Sequence, residues 1–194
     1  SDVNGDPQYL HDICSEIIRR CLKVTLVGQL RVDKHNNKEY FKHLSKAGFC
    51  HLRFGVDGWS DGVLRLLRKG YNMNLVAQNL RDCHEAGIYT TINIVLGVPG
   101  ETEEDIDDVI ENLVRCKDYY DVVEGINTLI LGSGSEYYKD PSKYKIRFRG
   151  DKEEIYRKNP YFINTELWYS EDPYIDQSVR IKRLDRICNE LYKQ

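Results

Sequence analysis

The sequence predicts an α/β protein of parallel strands joined by helical crossovers, with an extension at the carboxyl end. Three observations carry this. Strand-like and helix-like segments alternate with a step of roughly 35 residues, the rhythm of βαβ units. The helical segments repeat apolar residues at three- and four-residue spacing, and the strand through Ile92 to Leu96 runs straight into a glycine-rich turn. After about Gly132 the rhythm breaks into a stretch rich in tyrosine and charge.

In chain order, Leu10, Ile13, Cys14, Ile17, Ile18 and Cys21 trace one helical face. Val24 to Leu30 reads as a strand. Tyr40, Phe41, Leu44 and Ala47 make a second helix, with Gly48 as its cap. His51 to Val56 is the next strand. Val63, Leu64 and Leu67 form a short helix ended by Gly70, and Val76, Leu80 and Cys83 form another ended by Gly87. Tyr89 to Gly97 is the strongest strand signal. Ile106, Val109, Ile110, Leu113 and Val114 mark an amphipathic helix, capped by Thr102 with Asp105 three residues on. Asp107, Asp108 and Glu111 form its solvated side. Gly125 to Leu131 reads as the fourth strand, and a last helix covers about Gln177 to Tyr192. Each crossover should be right-handed. Residues 1–135 are therefore read as the α/β part. Residues 136–194 are read as an extension packed on it, not a separate domain.

Composition narrows the function classes. The chain has 194 residues, 41% of them hydrophobic and 30% charged, with a net charge of -3. That balance does not favour non-specific nucleic-acid binding. No apolar run reaches the ~20 residues of a membrane span, and Ser1 to Leu10 is too polar for a signal peptide. The six cysteines (Cys14, Cys21, Cys50, Cys83, Cys116 and Cys188) are never within three residues of one another. No close-spaced metal-ligand pair exists. Most of them are expected in the core, in a reducing, cytoplasmic setting.

Chemistry is expected at the carboxyl ends of the strands, which share one side of a parallel sheet. These ends carry Gln29 and Arg31, then Asp57, then Gly97-Val98-Pro99-Gly100-Glu101, then Leu131 and Gly132. Gly97 and Gly100 leave room for backbone approach to a flat ligand. Asp57 can accept bonds from a ribose diol or an amino group. Lys69, Arg68 and Arg31 can neutralise a carboxylate. Taken singly, each has an ordinary reading: a strand-to-helix turn, a cap, surface charges. Trp59 alone reads as a packing residue.

The ordered combination is more specific. Gln29-x-Arg31, Ala47-Gly48, Leu52-Arg53-Phe54-Gly55-Val56-Asp57, Val63-Leu64, Lys69-Gly70-Tyr71, Ala86-Gly87-Ile88 and Gly97-x-Pro99-Gly100-Glu101-Thr102 resemble the later part of a radical S-adenosylmethionine domain. More narrowly, they resemble the subgroup that carries a cobalamin(B12)-binding domain. Asp2-x-x-Asn4-Gly5-Asp6 and Trp168 to Arg183 resemble flanking parts of that subgroup.

The resemblance implies a partial TIM-like open barrel of the (β/α)6 type, of which this chain holds about four strand-helix units. It implies S-adenosylmethionine bound on a [4Fe-4S] cluster, with cobalamin on an upstream domain. Reductive cleavage of S-adenosylmethionine would then drive methyl transfer, cyclisation or rearrangement of a small-molecule substrate. Carried over by position, Gly97, Val98 and Pro99 flank the adenine. Asp57 faces the ribose or the methionine end, Lys69 or Arg31 takes the methionine carboxylate, and Leu131 and Gly132 line the adenine pocket. Gln29 joins them on the first strand.

Two departures matter. Gly55-Val56-Asp57-Gly58-Trp59-Ser60 stands where many relatives have Gly-Val-Glu-Ser-Gly-Ser. The Cys-x-x-x-Cys-x-x-Cys motif that holds the cluster is absent. The expectation is a fragment whose metal ligands lie upstream, inert alone and self-associating through an exposed sheet edge. Tyr137, Tyr138, Tyr161, Tyr169 and Tyr174 would then either pack or cover the substrate side. The competing reading is a stand-alone, non-redox α/β module for a nucleotide-like ligand. A phosphate-handling TIM enzyme would need eight strand signals, and only four are firm.

Overall fold

The computed structural model describes residues 2–193. Four parallel strands, β1 (Leu26–Leu30), β2 (Phe49–Asp57), β3 (Tyr89–Leu96) and β4 (Val122–Thr128), form one sheet in the order β1-β2-β3-β4. Consecutive strands are neighbours, as in a barrel, but the sheet does not close. The helices are α1 (Pro7–Arg19), α2 (Lys38–Ala47), α3 (Asp61–Leu66), α4 (Met73–Glu85) and α5 (Glu103–Arg115). The fold is thus the partial, open TIM-like barrel that the alternation and the resemblance imply.

Period-two alternation decides which face is the core. Leu52, Phe54 and Val56 of β2, and Ile92, Ile94 and Leu96 of β3, are fully buried. They pack with Phe41 and Leu44 of α2, Val76 and Leu80 of α4, and Ile106 and Leu113 of α5. The alternate residues, including Arg53, Gly55 and Asn93, line the opposite, open face. At the β1 edge, the Asn4 side chain bonds both the N–H and the C=O of Arg31, at 3.0 and 2.9 Å. Val3 packs directly over Gly28, where a Cβ would meet it at 2.7 Å.

The extension contains β5 (Leu131–Gly132), α6 (Glu136–Lys139), β6 (Ile146–Phe148), α7 (Lys152–Lys158), β7 (Phe162–Ile163), β8 (Trp168–Glu171), β9 (Tyr174–Ile175) and α8 (Gln177–Tyr192). It has its own small core of Leu131, Ile146, Ile155, Ile163 and Trp168. Helix α8 joins the main core instead, through Ile187 and Leu184. Tyr137, Tyr138, Tyr144 and Tyr156 border the small core, whereas Tyr161 and Tyr174 are exposed.

Three expectations are corrected. The fourth strand begins at Val122 and ends at Thr128, not at Leu131. The β-branched pair Val122-Val123 starts it beside Thr91 and Ile92. Leu131 and Gly132 leave the parallel sheet and pair antiparallel with Ile163 and Phe162. Only Cys14, Cys83 and Cys116 are buried, whereas Cys21 and Cys50 are exposed. Cys50 is skipped in the β1–β2 register, where Leu26 pairs with Phe49 and Val27 with His51, and this irregularity leaves it exposed although it shares the parity of buried Leu52. No helix is long and apolar enough to cross a membrane among the described residues.

The junctions are built by caps. Thr102 and Asp105 form a reciprocal capping box at α5. The Asp105 carboxylate also accepts from Ser60 Oγ at 2.8 Å, and Ser60 caps α3 through Val63 N–H at 2.9 Å. One buried carboxylate therefore holds two helix starts. Thr102→Ala should cost about 1 kcal/mol. Asp105→Ala should cost more, about 2–3 kcal/mol, because it also strips Ser60 of its buried acceptor. Urea unfolding of both variants checks the order; equal costs would contradict it.

Candidate functional site

The carboxyl end of β2 is the first half of the site. Asp57, the last strand residue, adopts the left-handed region at φ +60°, an uncommon conformation for a residue with a side chain. Its carboxylate accepts from Asn93 Nδ2 of β3 at 2.5 Å and pairs with Lys69 Nζ. Both members of the ion pair are under a third exposed, at 29% and 22%. Lys69 also donates to Gly55 O at 3.3 Å. The Tyr71 hydroxyl donates to the same carbonyl at 3.3 Å, and burial pushes its pKa up, so it stays a neutral donor. The exposed Arg31 guanidinium donates to Lys69 O at 3.2 Å. Asp57 and Lys69 therefore meet through their side chains, and Arg31 reaches the backbone of Lys69.

Gln29 lies lower on the open face. With Arg53, Gly55, Asn93, Glu124, Gly125 and Asn127 it lines a cavity of about 370 Å³. Arg53 pairs with Glu124 across the sheet, and Thr91 Oγ1 donates to Glu124 at 3.3 Å. Asn93 and Glu124 were not among the site residues read from the sequence, and Arg53 figured only in the motif that carries the resemblance. Asn93 carried a signal of its own, an amide between Ile92 and Ile94 in the apolar half of β3.

The second half is the turn after β3. Gly97 and Gly100 take φ of +76° and +95°. The Gly97 N–H donates to the Glu101 carboxylate at 2.8 Å, closing the turn. Val98 and Pro99 are buried. The room expected beside the two glycines is filled by this chain itself. A Cβ on Gly97 would lie 2.7 Å from Arg180 Cγ and Nε, and one on Gly100 would lie 3.0 Å from Leu66. Arg180, fully buried, sits there because its guanidinium stacks 3.8 Å from the Trp168 ring centre and donates to Thr165 O and Trp168 O at 3.0 and 3.2 Å. Burial lowers its pKa to about 10. Leu131 is fully buried in the extension's core, and Gly132 pairs with β7 beside it. Neither ends β4, so the strand-end position assigned to them is corrected. Trp59 is a packing residue, fully buried, with Nε1 donating to Asn93 O at 2.9 Å.

Glu101 is the most deeply buried acid of the turn. Burial pushes its carboxyl up to about 7, although the Gly97 amide and Arg183 pull the other way and Asp105 adds to the rise. Among the described residues, no group of three or more His, Cys, Asp or Glu is placed to hold a metal ion.

Polar groups gathered at the carboxyl ends of parallel strands define an α/β barrel-type ligand site. The family model described as the Radical SAM superfamily matches residues 3–113, and the chain belongs to that superfamily. Over 71 residues it is 35% identical to tRNA-2-methylthio-N(6)-dimethylallyladenosine synthase of Moorella thermoacetica, covering 34% of this chain and 16% of that protein. The radical S-adenosylmethionine methyltransferase TsrM of Kitasatospora setae, solved with cobalamin and a [4Fe-4S] cluster, has a similar fold. Its TM-score is 0.66 at 18% identity, over 78% of this chain and 32% of that one. Coproporphyrinogen III oxidase (HemN) of Escherichia coli matches at TM-score 0.64 and 15% identity, over 97% and 38%. The cobalamin-dependent radical enzyme OxsB matches at 0.51 and 17%, over 70% and 19%. The chain thus spans well under half the length of these relatives.

A raised carboxyl pKa has a defined sign. The folded chain holds the Glu101 proton more tightly than the unfolded chain does. Its contribution is complete below pH 4.5, the ordinary value, and is lost as pH rises to about 7. The stability difference between wild type and Glu101→Gln should therefore shift against wild type across that window. Denaturant unfolding of both proteins at stepped pH measures it, and a flat difference would refute the assignment.

Proposed function

We propose that this chain forms the S-adenosylmethionine-positioning part of a radical SAM enzyme, of the cobalamin-associated subgroup. The Asp57–Lys69 pair beside Asn93, at the strand ends of the span that matches the family, carries the reading. The donor set fits the methionine end of the cofactor: Lys69 and Arg31 for the carboxylate, Asp57 for an ammonium or ribose hydroxyl. Asn93 Oδ1 is buried without a partner in the chain, so the site can take a further donor. When bound, S-adenosylmethionine supplies the carbon–sulfur bond whose reductive cleavage starts radical chemistry. The protein's part is orientation: Asp57 and Lys69 hold each other in place, Tyr71 shields the Gly55 carbonyl, and the open face of Gln29, Arg53 and Asn127 meets what lies beyond.

The residues present do not fit the iron–sulfur cluster. The six cysteines are scattered, and no triad of ligands is assembled among the described residues. No step through the cluster is assigned to this chain, which by itself is proposed to be catalytically inert. TsrM and OxsB, whose structures are named for cobalamin, support the subgroup by fold. The six free thiols support a reducing compartment.

Calorimetric titration with S-adenosylmethionine tests the site. Lys69→Met and Asp57→Ala should each weaken binding about tenfold or more, the scale of losing one charged contact. Arg68→Met, whose guanidinium pairs outward with Glu136, should leave binding unchanged. Equal affinity in all three would overturn the reading. Anaerobic treatment of the chain with iron and sulfide should give no stoichiometric charge-transfer band; such a band would overturn the proposed inertness.

A further inference from the structure

The most deeply buried ion pair among the described residues ties Glu101, inside the span that matches the family, to Arg183, outside it. It joins the turn after β3 to helix α8. Arg183 is 5% exposed and Glu101 not at all. Arg183 donates to the Glu101 carboxylate at 2.8 Å and lies 3.4 Å from the Glu101 carbonyl. It also grips Glu103, at 2.8 and 2.6 Å. The carboxylate oxygen it holds is the one that accepts the Gly97 N–H. Arg180, one helical turn earlier, fills the space over Gly97.

We propose that Arg180 and Arg183 are positioning residues for the strand-end site, bracing the Gly97–Glu101 turn from behind so that ligand affinity depends on the last helix. The inference rests on the site reading above. Its path is contiguous. Arg183 fixes Glu101, and Glu101 fixes Gly97 at the end of β3. Four residues back along β3, Asn93 holds Asp57. On the other flank, Gly100 packs against Leu66 of α3. The chain runs from there to Lys69, whose N–H bonds Leu64 O at 3.0 Å.

Energetics point the same way. Arg180 Nε and Nη2 and Glu101 Oε1 are buried with no partner in the chain. Buried charges with unmet hydrogen bonds are a poor route to stability compared with apolar packing. What they supply is a fixed geometry. Arg186, on the same helix, serves as the contrast. It pairs with Asp107 and, at 3.9 Å, with Glu103 at the start of α5, but forms no ion pair with Glu101 of the turn.

The test uses the intact protein that contains this chain. Titration with S-adenosylmethionine is run alongside amide hydrogen exchange at Gly97 to Glu101. Arg183→Gln and Arg180→Met should each lower affinity about tenfold and speed exchange in the turn by a similar factor. Arg183→Lys should recover part of both, and it also serves if the Gln variant fails to fold. Arg186→Gln should leave both within about twofold. If exchange accelerates while affinity stays at the wild-type value, the bracing role is overturned and the site reading stands. If Arg186→Gln loses as much affinity as Arg183→Gln, general loosening explains the effect and the inference is overturned. If the wild-type protein does not bind, the site reading fails and takes this inference with it.

Discussion

The carboxylate of Glu101 is the junction on which this structure turns. It is fully buried, closes the turn after β3 and receives Arg183 from α8. Without it the glycine-rich turn has no internal acceptor for the Gly97 N–H, and a buried guanidinium loses one of its two acid partners. Breaking one side of a buried pair is costly because the other charge stays behind. The neighbouring Asp105 carries a parallel load, capping α5 and holding the cap of α3. Two acids four residues apart thus fix a strand end, two helix starts and the last helix.

The two faces of the sheet do different work. The covered face is apolar and supplies the cohesion, since its side chains leave water entirely. The open face is held by ion pairs such as Arg53–Glu124, about half exposed. Such pairs contribute little to stability. They leave a polar surface whose partners can be exchanged for a ligand at low cost. The Asp57–Lys69 pair is less exposed and more constrained, with Asp57 in a left-handed backbone and Asn93 and Gly55 as further partners. That difference in confinement separates the proposed site from the rest of the open face.

Much of the core was legible because its signals are local. The helix cap at Thr102 and the stops at Gly48 and Gly87 act within a few residues, whereas α3 ends at Leu66, ahead of the expected stop at Gly70. Asp57, Lys69 and Arg31 were legible as neighbours at one end of the sheet because parallel strands put their carboxyl ends on the same side. The end of the fourth strand was not. Gly125 to Leu131 is a continuous apolar-leaning run, and nothing local says that Leu131 prefers the company of Ile163 and Trp168.

The sequence by itself determined the α/β alternation, the family and the absence of a cysteine triad, because periodicity and motif spacing are properties of the chain. Only the tertiary structure decided what occupies the space beside Gly97. Glycine announces clearance for something, and the sequence could not distinguish a ligand from a side chain. Arg180, 83 residues further along in the numbering, takes that space because its guanidinium finds Trp168 and two carbonyls there. Contacts between such distant residues depend on how the elements stack, and that stacking is decided by the packing of the whole core rather than by any local signal.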